Sequence, residues 1–350
     1  MLKLLKRLVL LLVALIVLVP AAFWGWAQWR ERLPVEALMP QNGMLIATGE
    51  GRMHVSLWGP EGGTPVVMTH GMAAWGGLWG PTAEALAGRG YRVIAVDLPP
   101  FGFSDRQDGD YSRIRQARRI NALAAAMNLR NYLMVGHSYG GGVALEAALG
   151  DAAGERRLAG LVLVCAVVNL LAEGESEAPK AAPALLTVPI VSDALVAGTI
   201  GNPLLTATLA RRFMHRKEGL TARDVEILQR PMARRGNGKA MLAWLTQFLA
   251  EDDAPLSRHA EKVRQLAVPV SLVWGEEDMV TPIAGGEALA AEINPRAFFR
   301  LKGIGHMPQL EDRDGFAGVL LDALDALPGH DGGPSEGVGE LRGTHDAAPQ

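Results

Sequence analysis

Residues 131–149 read NYLMVGHSYGGGVALEAAL. The first seven form a short apolar, β-prone run and the last nine a helical pattern. Between them lies Gly136-His137-Ser138-Tyr139-Gly140, a G-x-S-x-G pentapeptide. Small residues are needed where a strand turns sharply into a helix, because the turn imposes strained backbone angles and pushes its central residue into the open. That residue is Ser138, a candidate nucleophile. With 41 glycines in the chain the pentapeptide also arises by chance, and a plain Gly-rich turn is the competing reading, so the surroundings must decide.

Working outward, the rhythm continues on both sides. Runs 54–58, 65–70, 91–97, 131–137, 158–164, 269–274 and 297–301 have strand character, and several are continuously apolar, as in strands covered on both faces. Helical patterns lie between them, including TAEALAGR, RIRQARRINALAAAM, AGGEALAAEI and GFAGVLLDALDAL. Alternating strand and helix predicts an α/β fold with a doubly wound, mostly parallel sheet. Functional groups then gather on loops at the carboxyl ends of the strands. From about Asn169 to Lys262 the rhythm breaks into helical patches alone, one opening with a Thr221-x-x-Asp224 arrangement like a capping box. The expected organisation is an N-terminal apolar segment and flank (1–32), a core (33–168), a helical insertion (169–262), the rest of the core (263–327) and a disordered tail (328–350). The tail is rich in Gly, Pro and charge.

A serine hydroxyl needs a base to take its proton. Of eight histidines, His330 and His345 fall in the tail, His54 in a strand, His215 and His259 in the insertion, and His70 and His137 in turn motifs. His306 remains, on the loop after the last expected strand, placed to reach across the carboxyl edge. A surface loop histidine is the alternative. The base in turn needs a carboxylate to fix its tautomer. WGEEDMVTP (274–282) offers Glu276, Glu277 and Asp278, and its position gives the chain order Ser, acid, His.

Taken together, THGMAAWGGLW (69–79), DLPPFGFSD (97–105), GHSYGG (136–141), WGEEDMVTP (274–282) and GIGHMPQLED (303–312) make residues 43–327 resemble the α/β-hydrolase fold superfamily, in its esterase- and lipase-like serine hydrolase branch. The family's acid stands as D-x-x-x-P, which singles out Asp278 before Pro282. The resemblance implies Ser138 as nucleophile, His306 as base, Asp278 as orienter, and an oxyanion hole from the backbone N–H groups of Met72 and Tyr139. It implies cleavage of carboxylic esters through an acyl-enzyme with no cofactor and no metal. Carbon–carbon bond hydrolysis and cofactor-free peroxidation use the same triad and stand as alternatives; a non-catalytic binding protein on the same scaffold is an alternative of another class. One departure is Pro100, where the family's D-x-x-G-x-G-x-S loop usually has glycine. Proline fixes φ near −65°, so this loop is expected to run differently beside the site.

In the same family a helical insertion after the sixth strand is a cap over the site. Here residues 182–210 carry Asp193 as their one ionisable group. An apolar lid selecting lipophilic substrates and ordinary packing of cap on sheet are both open readings. The following ARRFMHRKEG (210–219) is basic; a solvated face and a contact with anionic lipid headgroups compete.

The N-terminus stands apart. Lys3, Lys6 and Arg7 precede an uncharged, mostly apolar run from Leu8 to Trp29. At 1.5 Å per residue it extends about 33 Å, enough for a bilayer core. Trp24, Trp26 and Trp29 are similar to an interfacial aromatic belt. The expectation is a single membrane-spanning anchor with a cytoplasmic N-terminus and the catalytic domain on the outer side. Secretion after signal-peptide cleavage is the alternative. A net charge of −3 provides no basic field for nucleic acid. The single cysteine, Cys165, lies in an apolar run and can make no internal disulfide. No G-x-G-x-x-G follows a strand, and neither a P-loop nor an H-E-x-x-H occurs.

Overall fold

Apolar runs without polar alternation need cover on both faces, and the chain supplies it by interleaving them with helices. The computed structural model describes residues 2–106, 109–151, 157–173, 175–178, 188–250 and 254–327. The expected tail lies outside the described residues, as do parts of the insertion (174, 179–187 and 251–253). Eight strands form one sheet: β1 (Gly43–Thr48), β2 (Gly51–Trp58), β3 (Thr64–Thr69), β4 (Tyr91–Val96), β5 (Tyr132–His137), β6 (Leu158–Val164), β7 (Val270–Gly275) and β8 (Ala297–Leu301). Their spatial order is β1-β2-β4-β3-β5-β6-β7-β8. β2 is antiparallel to both β1 and β4, and the remaining pairs are parallel. β5 and β7 are buried at every residue.

After the first helix, α1 (Leu2–Arg30), the helices α2 (Gly80–Gly88), α3 (Arg113–Ala126) and α4 (Tyr139–Asp151) follow strands of the first half. Between β6 and β7 come α5 (Pro189–Gly198), α6 (Thr206–Arg212), α7 (Ala222–Gln229), α8 (Asn237–Leu249) and α9 (Ala260–Val263). The chain closes with α10 (Ile283–Ile293), α11 (Pro308–Glu311) and α12 (Arg313–Asp325). This is the mostly parallel, doubly wound sheet with a helical insertion that the sequence predicts, with β1 added at the antiparallel edge. The insertion leaves and rejoins the core at one place: the Leu171 amide donates to the Arg258 carbonyl at 2.6 Å. Its Thr221-x-x-Asp224 box is made in both directions, hydroxyl to Asp224 N–H and carboxylate to Thr221 N–H.

α1 joins the helical insertion and not the sheet. Its last turns pack on α5, Ala27 is buried, and the Arg30 guanidinium donates to the Gly201 carbonyl at 2.7 Å. The Glu31 carboxylate then accepts from the Gly238 amide at the start of α8, at 2.9 Å. Up to Val19 the described apolar side chains of α1 stand mostly exposed. Among the described residues, one helix, Lys3–Arg30, is long and apolar enough to cross a membrane.

Candidate active site

The buried β5 delivers Ser138 at its carboxyl end, where φ is +53°. Such a value strains a residue with a Cβ. Bare backbone on both sides makes room for it. A Cβ at Gly136 would stand 2.7 Å from the Gly140 carbonyl oxygen, and one at Gly140 would stand 2.4 Å from that of His70. Neither approach is compatible with a side chain, so the turn between β5 and α4 demands glycine at both places.

His306 sits on the loop after β8. Its Nε2 lies 2.8 Å from Ser138 Oγ, and its Nδ1 lies 2.8 Å from Asp278 Oδ2. Asp278, just past β7, accepts three further bonds. The amides of Val280 and Thr281 reach Oδ1 at 2.8 and 2.9 Å, and the Thr281 hydroxyl reaches Oδ2 at 2.7 Å. Burial pushes the Asp278 pKa up, but the His306 imidazole and the Thr281 donors outweigh it and hold the carboxyl below its ordinary value. Asp278 therefore stays a carboxylate, and accepting His306 Nδ1–H leaves Nε2 free to take a proton from Ser138. Glu276 and Glu277 are exposed. The structure thus brings Ser138, His306 and Asp278 together and leaves the two neighbouring acids in solvent.

Met72 and Tyr139 both line the cavity beside Ser138. Tyr139 opens α4, so its amide lies at the positive end of that helix. The Met72 strand end is held through His70. Leu98 N–H donates to His70 Nε2 at 3.0 Å, so Nδ1 carries the proton and donates to the Gly71 carbonyl at 2.8 Å. Burial lowers the His70 pKa and keeps it neutral. The Pro100 loop departs from the family pattern, with a cis bond between Pro99 and Pro100. It is nevertheless held: Asp97 accepts from the amides of Gly76 and Phe103 at 2.7 and 2.8 Å, and Phe101 reaches the cavity wall.

Three supporting groups escaped the sequence reading. Glu311 is buried and accepts four backbone N–H groups: Gly305 and Met307 on either side of His306, at 2.9 and 3.0 Å, and His215 and Arg216 in the cap, at 3.0 and 2.9 Å. His137 Nε2 lies 2.7 Å from the His306 carbonyl and donates to it. Burial, reinforced by the neighbouring imidazole, lowers the His137 pKa to about 3. His54 Nδ1 lies 2.8 Å from Asp97 Oδ2, both side chains fully buried. The motif GIGHMPQLED contains Glu311, but its cap partners are remote in sequence and nothing in the sequence announces them. The basic stretch 210–219 is in part spent internally, since Arg216 donates to the Gly303 carbonyl at 3.0 Å.

The site opens into a cavity of about 400 Å³. Its walls are almost wholly apolar, with Phe101 and Tyr139 from the core and Phe213, Leu228, Trp244 and Phe248 from the cap. Trp244 stacks on Phe248 at 5.0 Å and meets Tyr139 edge-on at 5.4 Å, so the helical insertion and the Ser138 turn share one aromatic cluster. Among the described residues, Cys165, Asp278 and His306 are the one group of such ligands close enough together to hold a metal ion. Two of them are already hydrogen-bonded to each other.

Strand order, the strained serine turn and the loops that bring Asp278 and His306 to it are those of an α/β hydrolase. Residues 64–313 match the family model for the alpha/beta hydrolase fold, and the chain belongs to that family. A relative in Mycobacterium tuberculosis strain H37Rv, an uncharacterized protein, is 26% identical over 279 residues, covering 75% of this chain and 76% of its own. The non-heme chloroperoxidase of Burkholderia pyrrocinia is 28% identical over 228 residues, covering 65% and 79%. Among solved structures, a bacterial membrane phospholipase A superposes with a TM-score of 0.62 at 22% identity, covering 93% of this chain and 98% of its own. An esterase from Exiguobacterium antarcticum superposes with a TM-score of 0.62 at 22% identity, covering 81% and 99%.

Proposed function

We propose that the protein is a membrane-anchored serine hydrolase that cleaves lipophilic carboxylic esters through an acyl-enzyme on Ser138. The observation that carries this reading is the hydrogen-bonded chain from Ser138 through His306 to Asp278, opening on an apolar cavity of about 400 Å³. A cavity of that size with few polar groups favours an acyl chain over a charged substrate. Ser138 Oγ attacks the ester carbonyl as His306 Nε2 takes its proton, and the amides of Met72 and Tyr139 receive the developing oxyanion. Each such donor is worth about 3 kcal/mol of barrier. His306 returns the proton to the leaving alcohol, and water, activated by the same imidazole, releases the acid.

The anchor is α1. Three basic residues and no acid on its N-terminal flank favour a cytoplasmic N-terminus and a catalytic domain on the outer side. A second reading has the chloroperoxidase relative in its favour: hydrogen peroxide in place of water would release a peracid from the same acyl-enzyme. A fluorophosphonate probe should label Ser138, and Ser138→Ala should lower p-nitrophenyl ester turnover by about 10⁶-fold. Wild-type turnover in that variant would end the assignment. An acyl-chain-length series with and without peroxide separates ester hydrolysis from perhydrolysis.

A further inference from the structure

Helix α5 leaves an apolar face uncovered. Val191 and Leu195 stand one turn apart on α5, with Val188 at its N-cap just before them. Val188, Val191 and Leu195 are 49%, 38% and 38% exposed, while Ser192, Val196 and Ala197 on the other side are buried. Asp193, half-buried, also points away from this face. The face ends at Gly198, where an added Cβ would lie 3.7 Å from the Phe23 ring of α1. The exposed face is therefore continuous with the helix read above as the membrane anchor.

The contact with α1 sets where this face lies. Gly198 meets Phe23, and farther along both segments the Gly201 carbonyl accepts from Arg30. Both contacts place the C-terminal end of α5 and the turn after it beside the last two turns of α1. Those turns close the uncharged run Leu8–Trp29, whose length of about 33 Å only just exceeds a bilayer core. With Trp24 and Trp29 exposed near its end, the bilayer boundary falls at the last turns of α1. The C-terminal end of α5 therefore lies at that boundary, and its exposed apolar side chains adjoin the bilayer there.

We infer that α5 is a second membrane element, seated in the leaflet next to the catalytic domain with Val188, Val191 and Leu195 against lipid acyl chains. The inference rests on α1 being a membrane anchor. It also names a substrate source. Ile200, just past the end of α5, lines the active-site cavity, as do Thr206 and Leu209 after it. The leaflet-seated helix thus leads directly into the cavity wall, and acyl esters resident in the bilayer are the class of substrate so placed.

The test uses the full chain in phosphatidylcholine–phosphatidylglycerol vesicles. Leu195→Cys carries an NBD fluorophore, with Glu61→Cys, on the exposed turn before β3, as control. Cys165 is fully buried, and unmodified protein serves as the labelling blank. NBD at Leu195 should be blue-shifted and at least threefold more quenched by doxyl-labelled lipid than NBD at Glu61. Equal quenching overturns the proposal. A blue shift without lipid quenching also overturns it, by showing that a second copy or another protein covers the face. If the unmodified chain fails to float with vesicles, the anchor reading falls as well, whereas flotation without Leu195 quenching sinks the inference alone. In a second arm, Val191→Glu with Leu195→Glu should keep soluble p-nitrophenyl acetate turnover and lose about tenfold or more on an ester lipid within vesicles. Unchanged turnover of the vesicle substrate would count against the inference, while an unmodified chain inactive on both esters would count against ester hydrolysis and leave the fluorescence result standing.

Discussion

Ser138 and His306 meet across 2.8 Å, yet they arrive there by different means. Ser138 is placed by bare backbone: a fully buried strand, a positive φ, and glycines at 136 and 140 where no side chain fits. His306 stands on a loop whose position is set by side chains. Glu311 gathers the amides on either side of it, His137 holds its carbonyl, and Asp278 holds its ring. Backbone sterics yield little, so the nucleophile half should fail abruptly when altered. Hydrogen bonds are individually modest and shared, so the base half should weaken by degrees, except at the group that faces the imidazole itself.

That exception gives the largest expected effect in this half. Asp278→Asn, with the wrong tautomer imposed on His306, should lower kcat by about 10⁴-fold. Steady-state kinetics beside Glu276→Gln and Glu277→Gln, which should stay within twofold of wild type, checks it; equal losses in all three would break the assignment of the acid. On the nucleophile side, Gly140→Ala must push against the His70 carbonyl. It should lower kcat/KM by about 100-fold and cost about 1–3 kcal/mol in denaturant unfolding. A well-tolerated alanine would show that the elbow is softer than its contacts imply. Glu311→Gln keeps one carbonyl acceptor for four amides and should reduce kcat about tenfold, with KM little changed and fluorophosphonate labelling of Ser138 slowed in proportion.

The smallest expected effect is on acid stability. Asp278 and Asp97, one beneath each half, are both held below their ordinary value of 3.8. At Asp97, as at Asp278, burial pushes upward and is outweighed, here chiefly by the neighbouring His54 imidazole. The unfolded chain therefore takes up these protons first. Their stabilisation is complete above about pH 4 and is lost as pH falls through the lower folded values. Acid-unfolding curves should steepen there, and Asp278→Asn should flatten one part of that slope; an unchanged slope would show that Asp278 contributes nothing to it.

What the sequence showed follows the same division. Seven strands, the serine turn and the helical insertion were legible because they depend on local pattern: long apolar runs, glycine at fixed offsets, a cap box. β1 was missed because Gly43–Thr48 is a short edge strand, half-exposed at most positions, with no continuous apolar run to announce it. The groups that support His306 were missed for another reason. Glu311 and its partners His215 and Arg216 lie 96 and 95 residues apart, and nothing local in either segment implies the other. The contact of α1 with α5 is equally remote. Gly198, where an added Cβ would stand 3.7 Å from the Phe23 ring, has that meaning only once α1 is beside it.

The four bonds of Glu311 carry one more consequence. Two come from the loop that bears His306 and two from the cap. Lifting the cap at His215 and Arg216 would strand half of that carboxylate's acceptor capacity, and the amides beside the imidazole would be left with a partner no longer fixed in place. The insertion and the His306 loop are therefore not independent: one carboxylate ties them, and any displacement of His215 and Arg216 is felt at the amides beside the imidazole.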